Sequence, residues 1–122
     1  MRNWIVDFYP LFDEEFKEFS EVVQDELLAE VELLEKYGPH LSRPHADTLN
    51  ESKHANMKEL RFKADDGVWR VAFAFDPERK AILLVAGDKS GVSEQRFYKQ
   101  LIKKADEQFD DHLARLKERE ER

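Results

Sequence analysis

The sequence contains no cysteine, only four glycines and four prolines, and no long apolar run. Without thiols the chain can form neither a disulfide nor a thiolate-bound metal site, and this favours a reducing, cytoplasmic setting. Because no segment resembles a signal peptide or a span of roughly 20 apolar residues, we expect neither export nor contact with a membrane. The length predicts a single domain, 1–122, with residues 118–122 frayed.

Basic residues are scarce in the first part of the chain and concentrated later. Met1 to Leu34 contains ten acidic residues and two basic ones, whereas Arg79 to Lys104 contains seven basic residues and two acidic ones. The overall net charge of −7 speaks against a surface that is basic throughout. A modestly basic region is therefore expected inside an acidic protein, and the acidic helical faces are expected to be solvated.

Two runs rich in β-branched and aromatic residues, KELRFKA and VWRVAFAF, flank Asp65-Asp66-Gly67. An Asp-Gly pair favours a two-residue type I′ turn, so we place the turn at Asp66-Gly67, with Lys63 opposite Arg70. Alternation then defines two faces. The apolar face holds Leu60, Phe62, Trp69, Val71, Phe73 and Phe75, and the polar face holds Glu59, Arg61, Lys63, Arg70, Ala72 and Ala74. We expect the polar face to be open, either as an anion site around its arginines or as a solvated sheet surface.

Periodicity and capping residues predict the other elements. They are a strand at 3–9, helices that begin at Pro10 and Ser20, a loop over 39–56 with short structure around Leu49, a buried strand at 81–86 and a last helix capped by Ser93. The order is a strand, two helices, a three-stranded antiparallel meander and a C-terminal helix. It predicts an α+β domain with a small antiparallel sheet, whose apolar face is covered by the two early helices.

Sites for metals and cofactors are not apparent. The four histidines have no metal-ligand spacing, and there is no P-loop, Rossmann glycine pattern or nucleophile elbow. We expect no metal and no cofactor. The segment GDKSG is too short for a phosphate loop, although Lys89 and Ser90 are suited to binding an anion.

Three segments together resemble a known family. KHANMKELRF at 53–62, GVWRVAFAFD at 67–76 and ILLVAGDKSG at 82–91 resemble the RelE/ParE superfamily of type II toxin-antitoxin toxins, in its HigB-like, phage-derived branch. The resemblance implies a RelE-like fold with a concave basic face and a ribosome-dependent, metal-independent endoribonuclease that cleaves messenger RNA and inhibits translation. It also implies a cognate antitoxin, often a helix-turn-helix protein. The alternatives are a ParE-like toxin that targets gyrase, or a non-catalytic binding or regulatory protein of the same fold.

The resemblance also assigns residues. The family's catalytic positions fall on Arg61, Arg70 and Lys89 and, with a looser match, on His54 and Tyr98. Binding of RNA is assigned to Lys53, Lys58, Lys63 and Arg96. The implied chemistry is attack of a ribose 2′-hydroxyl on its own 3′-phosphate, in which arginine stabilises charge but cannot act as the base. The base stays open among Lys89, His54 and Tyr98, or alignment on the ribosome activates the hydroxyl.

Overall fold

A computed structural model of the protein describes residues 3–121. A five-stranded sheet of order β1-β5-β4-β3-β2 lies at the centre of this part of the chain. Its strands are β1 (Val6–Phe8), β2 (Ala46–Thr48), β3 (Met57–Ala64), β4 (Gly67–Phe75) and β5 (Ala81–Asp88). The α-helices are α1 (Pro10–Lys17), α2 (Glu21–Tyr37) and α3 (Glu94–Glu120), and a short 3-10 helix covers Gly38–His40.

The α+β class and the predicted element order are confirmed, but the sheet is mixed and has an additional strand. The predicted three-stranded meander is antiparallel, whereas β1 pairs in parallel with β5, with Val6 opposite Ala81. The two helices that follow β1 return the chain to the opposite edge of the sheet. There β2 pairs with β3 inside the segment predicted to be a loop. The sequence did not predict β2 because a strand of three residues is too short to show a periodic pattern.

The β3–β4 turn lies one residue earlier than predicted. Asp65 and Asp66 are its central residues, with φ of 52° and 62°, the left-handed geometry that a type I′ turn requires. Arg61 therefore lies directly opposite Arg70, and the predicted register is wrong. The two predicted faces survive because the shift moves each partner by two residues. Gly67 is required for packing, since a Cβ there would lie 2.7 Å from Nε1 of Trp69.

The apolar face of the sheet is covered by α1 and α2, as predicted. Phe12, Leu27 and Leu34 are fully buried, and the Phe19 ring packs on Trp69 with 5.1 Å between centroids. The Ser20 hydroxyl caps α2 by accepting a hydrogen bond from the Val23 amide. The helix ends at Tyr37, and Gly38 is its C-cap.

The polar face is not open, because α3 packs across it. Ala72 and Ala74 are fully buried, and Arg70 is buried as well. The apolar stripe of α3, which includes Phe97, Leu101 and Ala105, needs a surface to pack on, and the two alanines leave room for it. The prediction of an open arginine face is therefore wrong. The sequence predicted α3 but not the surface on which it packs, and that surface is this face of the sheet.

The last helix begins at its predicted cap and extends to Glu120. The Ser93 hydroxyl accepts a hydrogen bond from the Arg96 amide, and α3 includes Glu118 to Glu120. Fraying from residue 118 stays a prediction, as does a single domain over 1–122, of which residues 1, 2 and 122 lie outside the described residues. Within residues 3–121, no helix is both long and apolar enough to cross a bilayer.

The packing of α3 on β5 is tight enough to test by substitution. A Cβ added at Gly87 would lie 2.8 Å from Cε1 of Phe97. We expect Gly87→Ala to lower the free energy of unfolding by about 1–3 kcal/mol through overpacking, measured by urea denaturation. Gly91→Ala is the comparison, since no atom lies within 4 Å of a Cβ there and only the φ of 74° opposes it, at a cost of about 1–2 kcal/mol. Unchanged stability of Gly87→Ala would contradict the described contact.

Candidate functional site

An open groove of about 1120 Å³ runs between the edge strand β2, with the turn that follows it, and the first half of α3. Its charged lining consists of four cations, Arg43, Arg61, Lys99 and Lys103, and four carboxylates, Asp47, Glu51, Glu59 and Glu94. The charges of the two sets cancel. The groove is therefore polar and locally charged, but it is not the wholly basic concave face that the family resemblance implies.

Four side chains from three elements meet at the floor of this groove, and we call them the arginine cluster: Glu59 and Arg61 from β3, Arg70 from β4 and Tyr98 from α3. Arg61 Nη1 donates to Glu59 Oε2 over 2.7 Å, and the Tyr98 hydroxyl donates to Glu59 Oε1 over 2.8 Å. Arg70 Nε donates to the Tyr98 oxygen over 3.1 Å and lies 3.7 Å from Glu59 Oε1. One carboxylate thus connects both guanidinium groups.

The strand register explains why this carboxylate is needed. Arg61 and Arg70 are directly opposed on neighbouring strands, and like charges in that position repel. Glu59 precedes Arg61 by two residues, so both side chains lie on the same face. The residue opposite Glu59 is Ala72, whose small side chain leaves space for the carboxylate and for Tyr98 above it. Sequence alternation placed Glu59 on this face but gave it no role.

The two arginines differ in their access to solvent. The Arg61 side chain is 19% exposed and lines the groove, whereas that of Arg70 is 7% exposed and that of Glu59 is 4% exposed. Arg70 uses its remaining contacts inside the protein, since its Nη1 donates to the carbonyl oxygen of Trp69 over 2.9 Å. The structure brings together the two arginines that the sequence singled out, but only Arg61 faces the groove.

Tyr98 is arranged as a proton donor. Burial raises the pKa of its hydroxyl, and the hydrogen bond to the Glu59 carboxylate raises the pKa further. The phenol therefore holds its proton at neutral pH. This geometry disfavours Tyr98 as a base in the described state and favours a role as donor.

Lys89 lies at the rim, where β5 leads toward α3. Its ammonium is 2.7 Å from Glu94 Oε1 and 5.9 Å from the centre of the Tyr98 ring. The hydrogen bond from Lys89 lowers the pKa of the Glu94 carboxyl. The structure thus brings Lys89 next to the arginine cluster, but with a carboxylate of its own.

His54 and Lys53 are placed elsewhere by the structure. His54 Nε2 lies 2.8 Å from Asp110 Oδ1, and its ring packs edge-on against Phe109, 4.9 Å between centroids. The Lys53 ammonium also pairs with Asp110, and this contact is the largest cause of the lowered pKa of that carboxyl. Both residues tie the segment before β3 to the middle of α3. Neither is among the residues that line the groove.

The other residues assigned to RNA binding are spread over the surface. Lys58 donates to the carbonyl oxygen of Pro39 over 3.1 Å, and Lys63 and Arg96 are exposed outside the groove lining. The groove cations that the sequence gave no role are Arg43, Lys99 and Lys103. Lys99 and Lys103 are four residues apart and so lie on one helical face. That spacing was the available signal, whereas Arg43 belongs to a segment without any pattern.

Comparison with known proteins identifies the family. Residues 14–110 match the family described as "Phage derived protein Gp49-like (DUF891)". The chain belongs to this family. Two proteins from Mycobacterium tuberculosis are similar to it: "Putative toxin HigB2" is 46% identical over 93 residues and "Putative toxin HigB3" is 48% identical over 84 residues. The HigB-like, phage-derived relationship recognised from the sequence is thereby confirmed.

The matches cover different shares of the two HigB proteins. The match to HigB2 covers 75% of this chain but 46% of HigB2, and the match to HigB3 covers 69% of this chain and 71% of HigB3. A solved structure of a mutant of the E. coli toxin RelE in the free state superimposes with a TM-score of 0.59. It is 11% identical, over 82% of this chain and 94% of RelE. At that identity the likeness concerns the fold alone, and it confirms the RelE-like architecture.

No cluster of three or more histidine, aspartate or glutamate side chains within residues 3–121 is arranged to hold a metal ion.

The proton on Tyr98 can be followed by titration. Because the pKa of Tyr98 is raised on folding, its contribution to stability is fully present below about pH 10, the ordinary tyrosine value. That contribution is lost as pH rises through the folded pKa. Phenolate absorbance should include a late phase, to which Tyr9, whose pKa is also raised, contributes as well. We expect Tyr98→Phe to reduce this phase to the part that Tyr9 contributes. An unchanged late phase in Tyr98→Phe would contradict the described bond to Glu59.

Proposed function

We propose that this chain is the toxin of a type II toxin-antitoxin system and that it cleaves messenger RNA on the ribosome without a metal ion. The observation that carries the proposal is the arginine cluster, in which the buried Glu59 carboxylate holds Arg61 at the floor of a groove and is itself bound by the Tyr98 hydroxyl. The RelE-like fold and the toxin names of the HigB relatives support the same reading.

The groove is suited to a single RNA strand that enters between β2 and α3. Lys99 and Lys103 on the α3 wall can contact phosphates, and such contacts position a strand without reading its sequence. Arg61 at the floor can bind a phosphate through two parallel hydrogen bonds, a geometry that lysine cannot provide. The groove would therefore hold the strand by its backbone, with one phosphate placed at Arg61.

The reaction we propose is an internal transfer at that phosphate. The 2′-oxygen bonds to phosphorus, the bond from phosphorus to the 5′-oxygen of the next nucleotide breaks, and a 2′,3′-cyclic phosphate and a free 5′-hydroxyl result. Arg61 would stabilise the negative charge on the phosphorane. Tyr98, inside the cluster, and Lys89, beside the Tyr98 ring, suit protonation of the leaving oxygen, and Glu59 can accept the proton of the 2′-hydroxyl. Alignment on the ribosome would supply the remaining activation.

The partners follow from the same proposal. The chain would act in the cytoplasm on ribosomes and messenger RNA, and a cognate antitoxin, expected to be a helix-turn-helix protein, would neutralise it. The match covers less than half of HigB2, so the partners of that whole protein come to this chain only as part of the proposal.

Induced expression tests the function directly. We expect the chain to stop growth and translation, with new messenger RNA ends mapped by sequencing and the antitoxin gene relieving both. Arg61→Ala removes the charge that faces the phosphate and should reduce cleavage about 10²–10³-fold. Lys36→Ala, exposed on α2 and away from the groove, is the matched control and should remain toxic.

The same experiment separates the alternatives. Growth arrest with intact messenger RNA, continuing translation and DNA damage would instead support a gyrase-targeting toxin. Harmless expression without any antitoxin would support a non-catalytic binding protein. If the double variant Arg61→Ala, Arg70→Ala is as toxic as the native chain, the arginine cluster is not the site.

A further inference from the structure

The arginine cluster contains two guanidinium groups but only one carboxylate. Glu59 is the shared anion, within 4 Å of both arginines. Two other carboxylates are close enough to interact with Arg61, but each already has a cation of its own. Asp47 on β2 pairs with Arg43 at 2.8 Å, and Glu94 pairs with Lys89 at 2.7 Å. One positive charge in a largely buried cluster is therefore not matched by an anion of its own. A phosphodiester carries one negative charge and would match it.

The two oxygens of Glu59 have different partners. Oε1 accepts from Tyr98 and lies near Arg70, both of which are held inside the protein. Oε2 is bound by Arg61, whose side chain is the more exposed of the two arginines and reaches the groove. Of these contacts, the bond from Arg61 to Oε2 is the one on the groove side, where an incoming anion can reach the guanidinium.

We propose that Glu59 is the resting counter-ion of Arg61, and that a phosphodiester of single-stranded RNA binds by taking Arg61 away from it. Tyr98 and Arg70 keep Glu59 in place during this exchange, so Arg70 is a positioning residue and does not touch the RNA. After the exchange each guanidinium faces one anion. Glu59 thereby sets the affinity of the groove for RNA, an inference that rests on the proposed function.

Binding of a strand that cannot be cleaved isolates this step. The probe is a short, fluorescently labelled 2′-O-methyl RNA without a duplex region, which lacks the attacking hydroxyl, and the readout is anisotropy with no ribosome present. Glu59→Gln keeps an oxygen acceptor for Tyr98 but removes the competing charge, so we expect the dissociation constant to fall about three- to tenfold.

The control variant changes the overall charge in the same way. Glu51→Gln also removes one carboxylate from the groove lining, but within residues 3–121 Glu51 forms no ion pair with either arginine. We expect it to change the dissociation constant by less than twofold. Equal effects of Glu51→Gln and Glu59→Gln would overturn the proposal, because the gain would then reflect charge in general. An unchanged or weaker affinity of Glu59→Gln would also overturn it.

A second variant predicts the opposite sign and does not depend on the folding of the first. Tyr98→Phe keeps the ring but removes the hydroxyl that holds Glu59 Oε1, so Glu59 should compete better for Arg61 and the dissociation constant should rise about threefold or more. Tighter binding by Tyr98→Phe, or no RNA binding by any variant or by the native chain, would overturn the exchange. Ribosome-dependent cleavage by the native chain is measured separately. Its absence alongside the expected binding changes would refute the proposed function and leave the exchange intact.

Discussion

The contact on which the site depends is the one between Glu59 and the two arginines that face each other across β3 and β4. Directly opposed guanidinium groups repel, and their burial under a helix without an anion would be strongly unfavourable. Removing one partner of a buried charge pair typically costs about 3–5 kcal/mol, which is a large part of the stability of a small domain. Glu59 therefore makes it possible for α3 to pack where it does.

This contact couples the fold to the groove. Tyr98 reaches Glu59 only because the first turns of α3 lie on β4 and β5, where Gly87 leaves space for Phe97. The same turns of α3 carry Lys99 and Lys103 to the groove wall. Packing, charge compensation and the shape of the groove are thus consequences of one arrangement, and a change in the position of α3 would alter all three.

The sequence predicted the elements and faces well because these depend on local signals. Ser20 and Ser93 cap their helices as expected, and the two-residue period sorts β3 and β4 correctly even though the turn was placed one residue late. Whether a face is covered depends on how distant segments pack, and nothing in the KELR segment reports that α3 will lie over it. The burial of Arg70 could not be predicted for that reason.

The site was predictable only in part, because local signals identify residues on a strand whereas long-range packing decides what those residues contact. Arg61 and Arg70 were identified from strand alternation and family resemblance, and they do meet. His54 matched the family only loosely. In the structure its ring hydrogen-bonds to Asp110 and packs edge-on against Phe109. Histidine and lysine in a loop are free to serve as anchors or as ligands, and only the tertiary contacts decide between these roles.

Pairing of cations with carboxylates also bears on how an acidic protein can bind RNA. Arg43, Arg61 and Lys89 each have a carboxylate within about 3 Å, so the long-range attraction of the groove for any polyanion is small. Affinity must then come from short contacts made after the strand has entered, where a planar guanidinium distinguishes a well-placed phosphate from a diffuse negative charge. A groove of this kind would distinguish well-placed RNA strands from other polyanions, but it would attract RNA from solution only weakly. That is the property expected if the strand is presented by a larger assembly and not collected from solution.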